Sequence, residues 1–240
     1  DAYKKDCECP LCALSKHLEK GYIDVFLGAS VMEPDRRVEV NRKGFCARHF
    51  AMLFTAKNRL GLALMTDTHL RETIARVREN AQKLNSAAKE QAEKPLLAQV
   101  AAKAAKRPAA GSAAREEIAH LSESCVFCER LDGTMDRYLA TLFVLWKHEG
   151  EFKSMFAASK GLCLPHYAQV LALAPKHLSG RELSEFTQVL TRVEEENLVR
   201  LEKELEWFTL KFDYRNQDKP WGSSQDAVER ARNKLRGNCV

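Results

Sequence analysis

The feature that most constrains this chain is a cysteine–histidine pattern that occurs twice. Cys9-Pro10-Leu11-Cys12 is answered by Gly44-Phe45-Cys46-Ala47-Arg48-His49, and Cys125-Val126-Phe127-Cys128 by Gly161-Leu162-Cys163-Leu164-Pro165-His166. The gap from Cys12 to Cys46 is 34 positions and from Cys128 to Cys163 it is 35. Each half thus offers three thiols and one imidazole, a closed tetrahedral set for zinc that leaves no position for water. The spacing predicts one metal held by Cys9, Cys12, Cys46 and His49, and a second by Cys125, Cys128, Cys163 and His166. A tight turn brings both sulfurs of C-x2-C to one side. In C-x2-H at a helix start, positions i and i+3 share a face. Gly44 and Gly161 permit a sharp entry to that helix. The partial positive charge of a helix N-terminus favours thiolate ligands.

Zinc is the metal this donor set fits first; the rival is an iron–sulfur cluster bound by three cysteines and one histidine. Catalytic zinc is disfavoured, because four protein donors close the coordination sphere. The chain has 8 cysteines, enough for a disulfide framework, but six of them sit in C-x2-C or C-x2-H pairs. That is a metal arrangement suited to a reducing cytoplasm. Cys7, beside the first knuckle, and Cys239, near the C-terminus, read as bystander thiols. His17 lies close enough to the first knuckle to exchange for a ligand, whereas His69, His120, His148 and His177 share no spacing.

The matched spacing argues for duplication of one helical unit, so the expected fold is all-α. Residues 1–84 form a first metal-pinned module, 85–120 an Ala/Lys-rich linker, and 121–178 a second module. In the first module a helix over 14–27 breaks at Gly28 and Pro34. A second helix then starts at the Cys46–His49 motif, bends near Gly61 and carries a core stripe of Phe50, Leu53, Phe54, Leu60, Leu64, Ile74 and Val77. In the second module a helix face of Met135, Tyr138, Leu139, Leu142, Phe143 and Trp146 is followed by a helix from Cys163 that ends before Pro175. Residues 179–240 have no counterpart in the first half. Leu183, Phe186, Leu190, Val193, Leu201, Leu205, Phe208 and Phe212 make one long amphipathic helix, expected to pack across both modules and bridge them. A last helix over 223–235 is expected to bury Ala227, Val228, Ala231 and Leu235.

The formal charge of +5 is spread out: +3 in residues 1–80, +3 in 81–120 and −1 in 121–240. A nucleic-acid binder concentrates positive charge on one face. The longest apolar run, Tyr138 to Trp146, is too short to span a bilayer, and no secretory signal is visible. No phosphate loop, nucleophile elbow or paired-carboxylate motif occurs. Lys211-Phe212-Asp213-Tyr214-Arg215 is the other concentrated chemistry, read as salt bridges that fix the tail rather than as an anion site.

With the duplicated Cys-x2-Cys and Gly-Φ-Cys-x2-His-aromatic pattern (Phe50 and Tyr167 supply the aromatic), the Lys-Phe-Asp-Tyr-Arg and Trp-Gly tail resembles a family. It is similar to an uncharacterised group of bacterial proteins filed as a domain of unknown function, over nearly the whole chain. The resemblance implies a bacterial cytoplasmic protein with metal-ligand motifs and brings no activity with it. The reading is a metal-stabilised helical binding or scaffold protein with an unidentified protein partner or small ligand and no evident catalytic site. An iron–sulfur electron-transfer or redox-sensing protein is the first alternative, and a zinc-dependent nucleic-acid binder the second.

Overall fold

The computed structural model describes residues 2–4, 6–95 and 111–237. Cys239 and the middle of the expected linker, residues 96–110, lie outside the described residues. Ten α-helices and no strand occur among the described residues: α1 Pro10–Leu27, α2 Pro34–Lys43, α3 Ala47–Thr55, α4 Arg59–Glu93, α5 Ser112–Glu123, α6 Val126–His148, α7 Gly150–Ala157, α8 Leu164–His177, α9 Gly180–Leu210 and α10 Ala227–Arg236. None of them is long and apolar enough to cross a membrane.

The chain forms two compact units that do not follow its two halves. One comprises Asp1–Glu19 with Leu131–Val240, and the other Lys20–Arg130. The helices that run through this division are α1 and α6. The long α9, expected to bridge the modules, belongs wholly to the first unit. Its Phe186, Leu190, Val193 and Leu201 are buried there. Phe186 meets Trp146 at 5.0 Å and Phe143 at 5.4 Å between ring centroids, edge to face in both cases. Such pairs add about 0.5–1.5 kcal/mol beyond the area they bury. The core of the second unit joins Phe26, Phe127, Phe45, Val40, Leu53 and Met65.

Several local expectations are corrected. The segment after α1 is not a plain return but contains α2, with Pro34 in its first turn, Asp35 beside it, and Arg42 and Lys43 at its end. Pro sets a helical φ without losing a needed N–H, and the charges complement the dipole. The helix expected to bend at Gly61 instead breaks at 56–58. Asn58 caps α4, accepting from the Gly61 N–H at 2.8 Å and donating to the Leu27 carbonyl at 2.6 Å. That break shifts the helical phase, so Leu60, Leu64, Ile74 and Val77 are exposed, and Leu62, Met65 and Asn80 face inward; Phe54, before the break, is exposed as well.

The expected linker is largely helix. Residues 85–93 continue α4, and 112–123 form α5, which packs on α4 and is tied to it by an Arg76–Glu117 ion pair. Alanine, lysine and glutamate are strong helix formers, and a helix with one narrow buried face needs few large apolar residues. Pro175 does not end α8, which continues to His177. In the last helix Val228 and Leu235 are exposed, and the buried residues are Ala227, Ala231 and Lys234.

Candidate metal centres

All four motifs adopt one geometry. Cys9, Cys46, Cys125 and Cys163 each immediately precede a helix, and each carbonyl accepts the first helical bond. The donors are Ala13, Phe50, Glu129 and Tyr167, at 3.1, 2.9, 3.2 and 2.8 Å. The second ligand of each motif then falls three residues into the helix, with its side chain turned back toward the cap. At the first knuckle the Cys12 N–H also donates to the Cys9 Sγ at 3.5 Å. A helix N-terminus thus presents two donor atoms, one sulfur and one sulfur or nitrogen, in the field of its dipole.

The eight residues form two Cys3His groups, but not with the expected membership. Cys9 and Cys12 meet Cys163 and His166, and Cys125 and Cys128 meet Cys46 and His49. In each group the four donor atoms lie within 4.8 Å of one another. The first unit places Cys12 Sγ 3.4 Å from Cys163 Sγ, and His166 Nδ1 3.5, 3.5 and 3.1 Å from the sulfurs of Cys9, Cys12 and Cys163. In the second unit Cys46 and Cys128 sulfurs are 3.8 Å apart, and His49 Nδ1 is 3.1, 3.4 and 3.5 Å from those of Cys46, Cys125 and Cys128. Each knuckle is therefore completed by the C-x2-H of the other half.

Helix lengths account for this exchange. α1 runs to Leu27 and carries the chain about 23 Å from Cys12, whereas α2, with 10 residues, spans only about 15 Å. In the second half α6 has 23 residues, about 35 Å, and α7 only 8, about 12 Å. Neither return leg is long enough to bring its C-x2-H back to its own knuckle.

The surroundings of the two groups differ. In the first, Cys9, Cys12 and Cys163 are buried and His166 is half-buried. Gly161 has φ +74°, and a Cβ there would lie 2.7 Å from the Glu194 carboxylate. Glu194, itself buried, accepts the Leu162 N–H at 2.9 Å and faces the buried Lys234 ammonium at 3.4 Å. Lys234 also donates to the Lys160 carbonyl at 2.5 Å. This buried ion pair fixes the turn that delivers Cys163. Gly237, the residue after α10, covers the site: a Cβ on it would lie 3.6 Å from Cys163 Sγ and 3.9 Å from Cys12 Sγ. Glu8, next to Cys9, is held by Arg200 at 2.6 Å and Arg230 at 3.3 Å, and both arginines also bind Glu204. Burial pushes the Glu204 carboxyl up, but the hydrogen bonds from Arg230 and Arg200 bring it below the usual carboxylate range.

In the second group Cys46 and Cys128 are half-buried, and Cys125 and His49 are buried. Gly44, φ +63°, has no room for a Cβ because the His69 imidazole occupies that space; His69 Nδ1 bonds the Asn41 carbonyl at 2.9 Å. The second knuckle is stitched to this turn by Ser124 Oγ to the Lys43 carbonyl, 2.8 Å, and by the Val126 N–H to the Gly44 carbonyl, 3.1 Å. Phe127 stacks on Phe45 at 5.3 Å and lies against the His49 ring at 5.2 Å. Burial, and then the adjacent Cys125 and Cys46 sulfurs, push the Cys128 thiol up to about 12. Burial opposes ionisation of Cys46 also, but bonds from the His49 backbone, from Cys128 and Cys125, and from the Arg48 backbone hold its thiol below the usual range.

Neither group contains His17, Cys7 or the other histidines. His177 instead stacks on Phe143, 4.8 Å between centroids and 9° between planes. The Lys211–Arg215 cluster is a local fastening. Lys211 Nζ donates to the carbonyls of Asn216, Gln217 and Lys219 at 2.7, 2.7 and 2.5 Å, and Asp213 grips Arg215 at 2.5 Å. Sequence reasoning missed Glu194 and Lys234, whose polarity on otherwise apolar helix faces was the available signal.

Fold and site together define an all-α protein with two Cys3His groups able to hold a metal ion each. The chain belongs to the family described as "Family of unknown function (DUF6062)", whose model matches residues 1–240. No match is found among the curated proteins or the solved structures.

Proposed function

We propose that this is a zinc-stabilised helical binding or scaffold protein in which each ion is structural and holds the N-termini of two helices together. The observation that carries the reading is the spacing of the donor atoms. Around one zinc with bonds of about 2.3 Å to sulfur and 2.0 Å to nitrogen, tetrahedral edges come to roughly 3.7 Å between sulfurs and 3.5 Å between sulfur and nitrogen. The eight donor–donor separations given above span 3.1–3.8 Å, and every pair in each group lies within 4.8 Å. An iron–sulfur cluster interposes several irons and sulfides between its protein ligands and spreads them further than the 4.8 Å that encloses each group. Four protein donors also leave a zinc ion no position for substrate water, which favours a binding role over catalysis. Reduced cysteines at both groups suit a cytoplasmic setting.

Metal analysis with an absorption spectrum on anaerobically purified protein tests this. Two zinc equivalents in a colourless sample are expected; iron with sulfide, and a broad band near about 400 nm, would contradict it.

A further inference from the structure

Away from the metal, the first unit carries a cavity of about 520 Å³ between η1 (Ala2–Lys4), α1, α6 and α7. Leu11, Leu14, Leu142, Leu145, Phe152 and Met155 line it, with Tyr138 and Thr141 beside them. The volume lies within the range of small-molecule sites, roughly 300–1,000 Å³. Two carboxylates, Glu149 and Glu151, stand at its exposed edge and have no ion-pair partner among the described residues. Glu149 does not use its side chain to cap α7, although it holds the cap position. Of the lysines on α6 and α7, Lys147 pairs with Glu182 and Lys153 with Glu185. Tyr3 also lines the cavity, and its buried hydroxyl has no hydrogen-bond partner among the described residues.

A chamber lined largely by apolar side chains, with carboxylates at its mouth that no described cation pairs, is complementary to a ligand with a hydrocarbon body and one cationic end. We propose that this cavity binds a small apolar amine, with its hydrocarbon among the leucines and its ammonium at Glu149 and Glu151. The proposal gives the binding role a ligand class and does not depend on which metal fills the two Cys3His groups.

The test uses the full-length, metal-loaded chain and the dye N-phenyl-1-naphthylamine, whose fluorescence rises in apolar cavities. Decylammonium, decanol and decanoate, all below their micellar concentrations, compete for it. The amine should displace the dye at about tenfold lower concentration than the carboxylate, as two partly exposed charge contacts imply. The Glu149→Gln/Glu151→Gln variant should lose that preference but keep dye binding, and Leu145→Trp, which fills the cavity, should lose the dye while retaining helical content. Absence of saturable dye uptake, equal displacement by decanoate, or dye uptake unchanged in Leu145→Trp would overturn the proposal. Metal content measured on the same samples separates the two readings: a protein with two zinc ions and no amine preference refutes only this one.

Discussion

Two glycines at equivalent places do the same work with different neighbours. Gly44 and Gly161 both have positive φ, and any Cβ would meet His69 in one case and Glu194 in the other. Gly161→Ala is expected to destabilise the fold by about 1–3 kcal/mol, from backbone strain and the displaced carboxylate. Gly133→Ala, where nothing lies within 4 Å, should stabilise by about 0.5–1 kcal/mol. Urea titration of both variants measures the contrast. Burial raises the Glu194 carboxyl above its ordinary value, while the Leu162 N–H and Lys234 oppose the rise. A raised folded-state value favours the protonated form, so this group's contribution is complete below the ordinary carboxylate range and is lost as pH rises through the folded value. Lys234→Met leaves Glu194 buried without its cation and should cost about 3–5 kcal/mol. The double variant Lys234→Met/Glu194→Gln keeps an acceptor for Leu162 and should recover much of that loss. Thermal unfolding that ranks the double variant below the single one would refute this role for the pair.

At the scale of elements, the helices were legible wherever an apolar stripe was uninterrupted. α9 follows from Phe186, Leu190, Val193 and Leu201, and α6 from Leu139, Leu142, Phe143 and Trp146. What escaped were elements written in end signals instead of stripes. α2 has one buried residue, Val40, and is announced by Pro34-Asp35 and its basic end. The break before α4 is announced by Asn58 alone, since Ala56 and Lys57 are good helix formers. Asn58→Ala removes both the cap and the bond to Leu27, and a loss of about 1–2 kcal/mol is expected in chemical denaturation. The eight donor residues were visible in the sequence, but their grouping was not. C-x2-C completes a tetrahedron equally well with either C-x2-H, so ligand chemistry cannot choose; the lengths of α1, α2, α6 and α7 do.

Over the whole molecule, each unit contains one Cys3His group whose two motifs come from different halves of the sequence. Structural zinc contributes roughly 10–16 kcal/mol of apparent binding free energy, as much as a domain's entire stability. Chelation is therefore expected to abolish cooperative unfolding, with helical circular dichroism falling as metal leaves; an unchanged melting curve in the metal-free protein would count against a structural role. Loading should also displace protons, because burial and the neighbouring Cys125 and Cys46 sulfurs push the Cys128 thiol up. Zinc uptake should acidify a weakly buffered solution, and affinity should fall as pH is lowered.

The most direct test is the metal content of paired serine substitutions. Cys12 and Cys163 share one group, so Cys12→Ser/Cys163→Ser should retain one tightly held zinc per chain. Cys12→Ser/Cys46→Ser removes a sulfur from each group and should retain none. The reverse outcome, one ion in the second variant and none in the first, would mean that each half binds its own metal and would contradict the exchanged pairing.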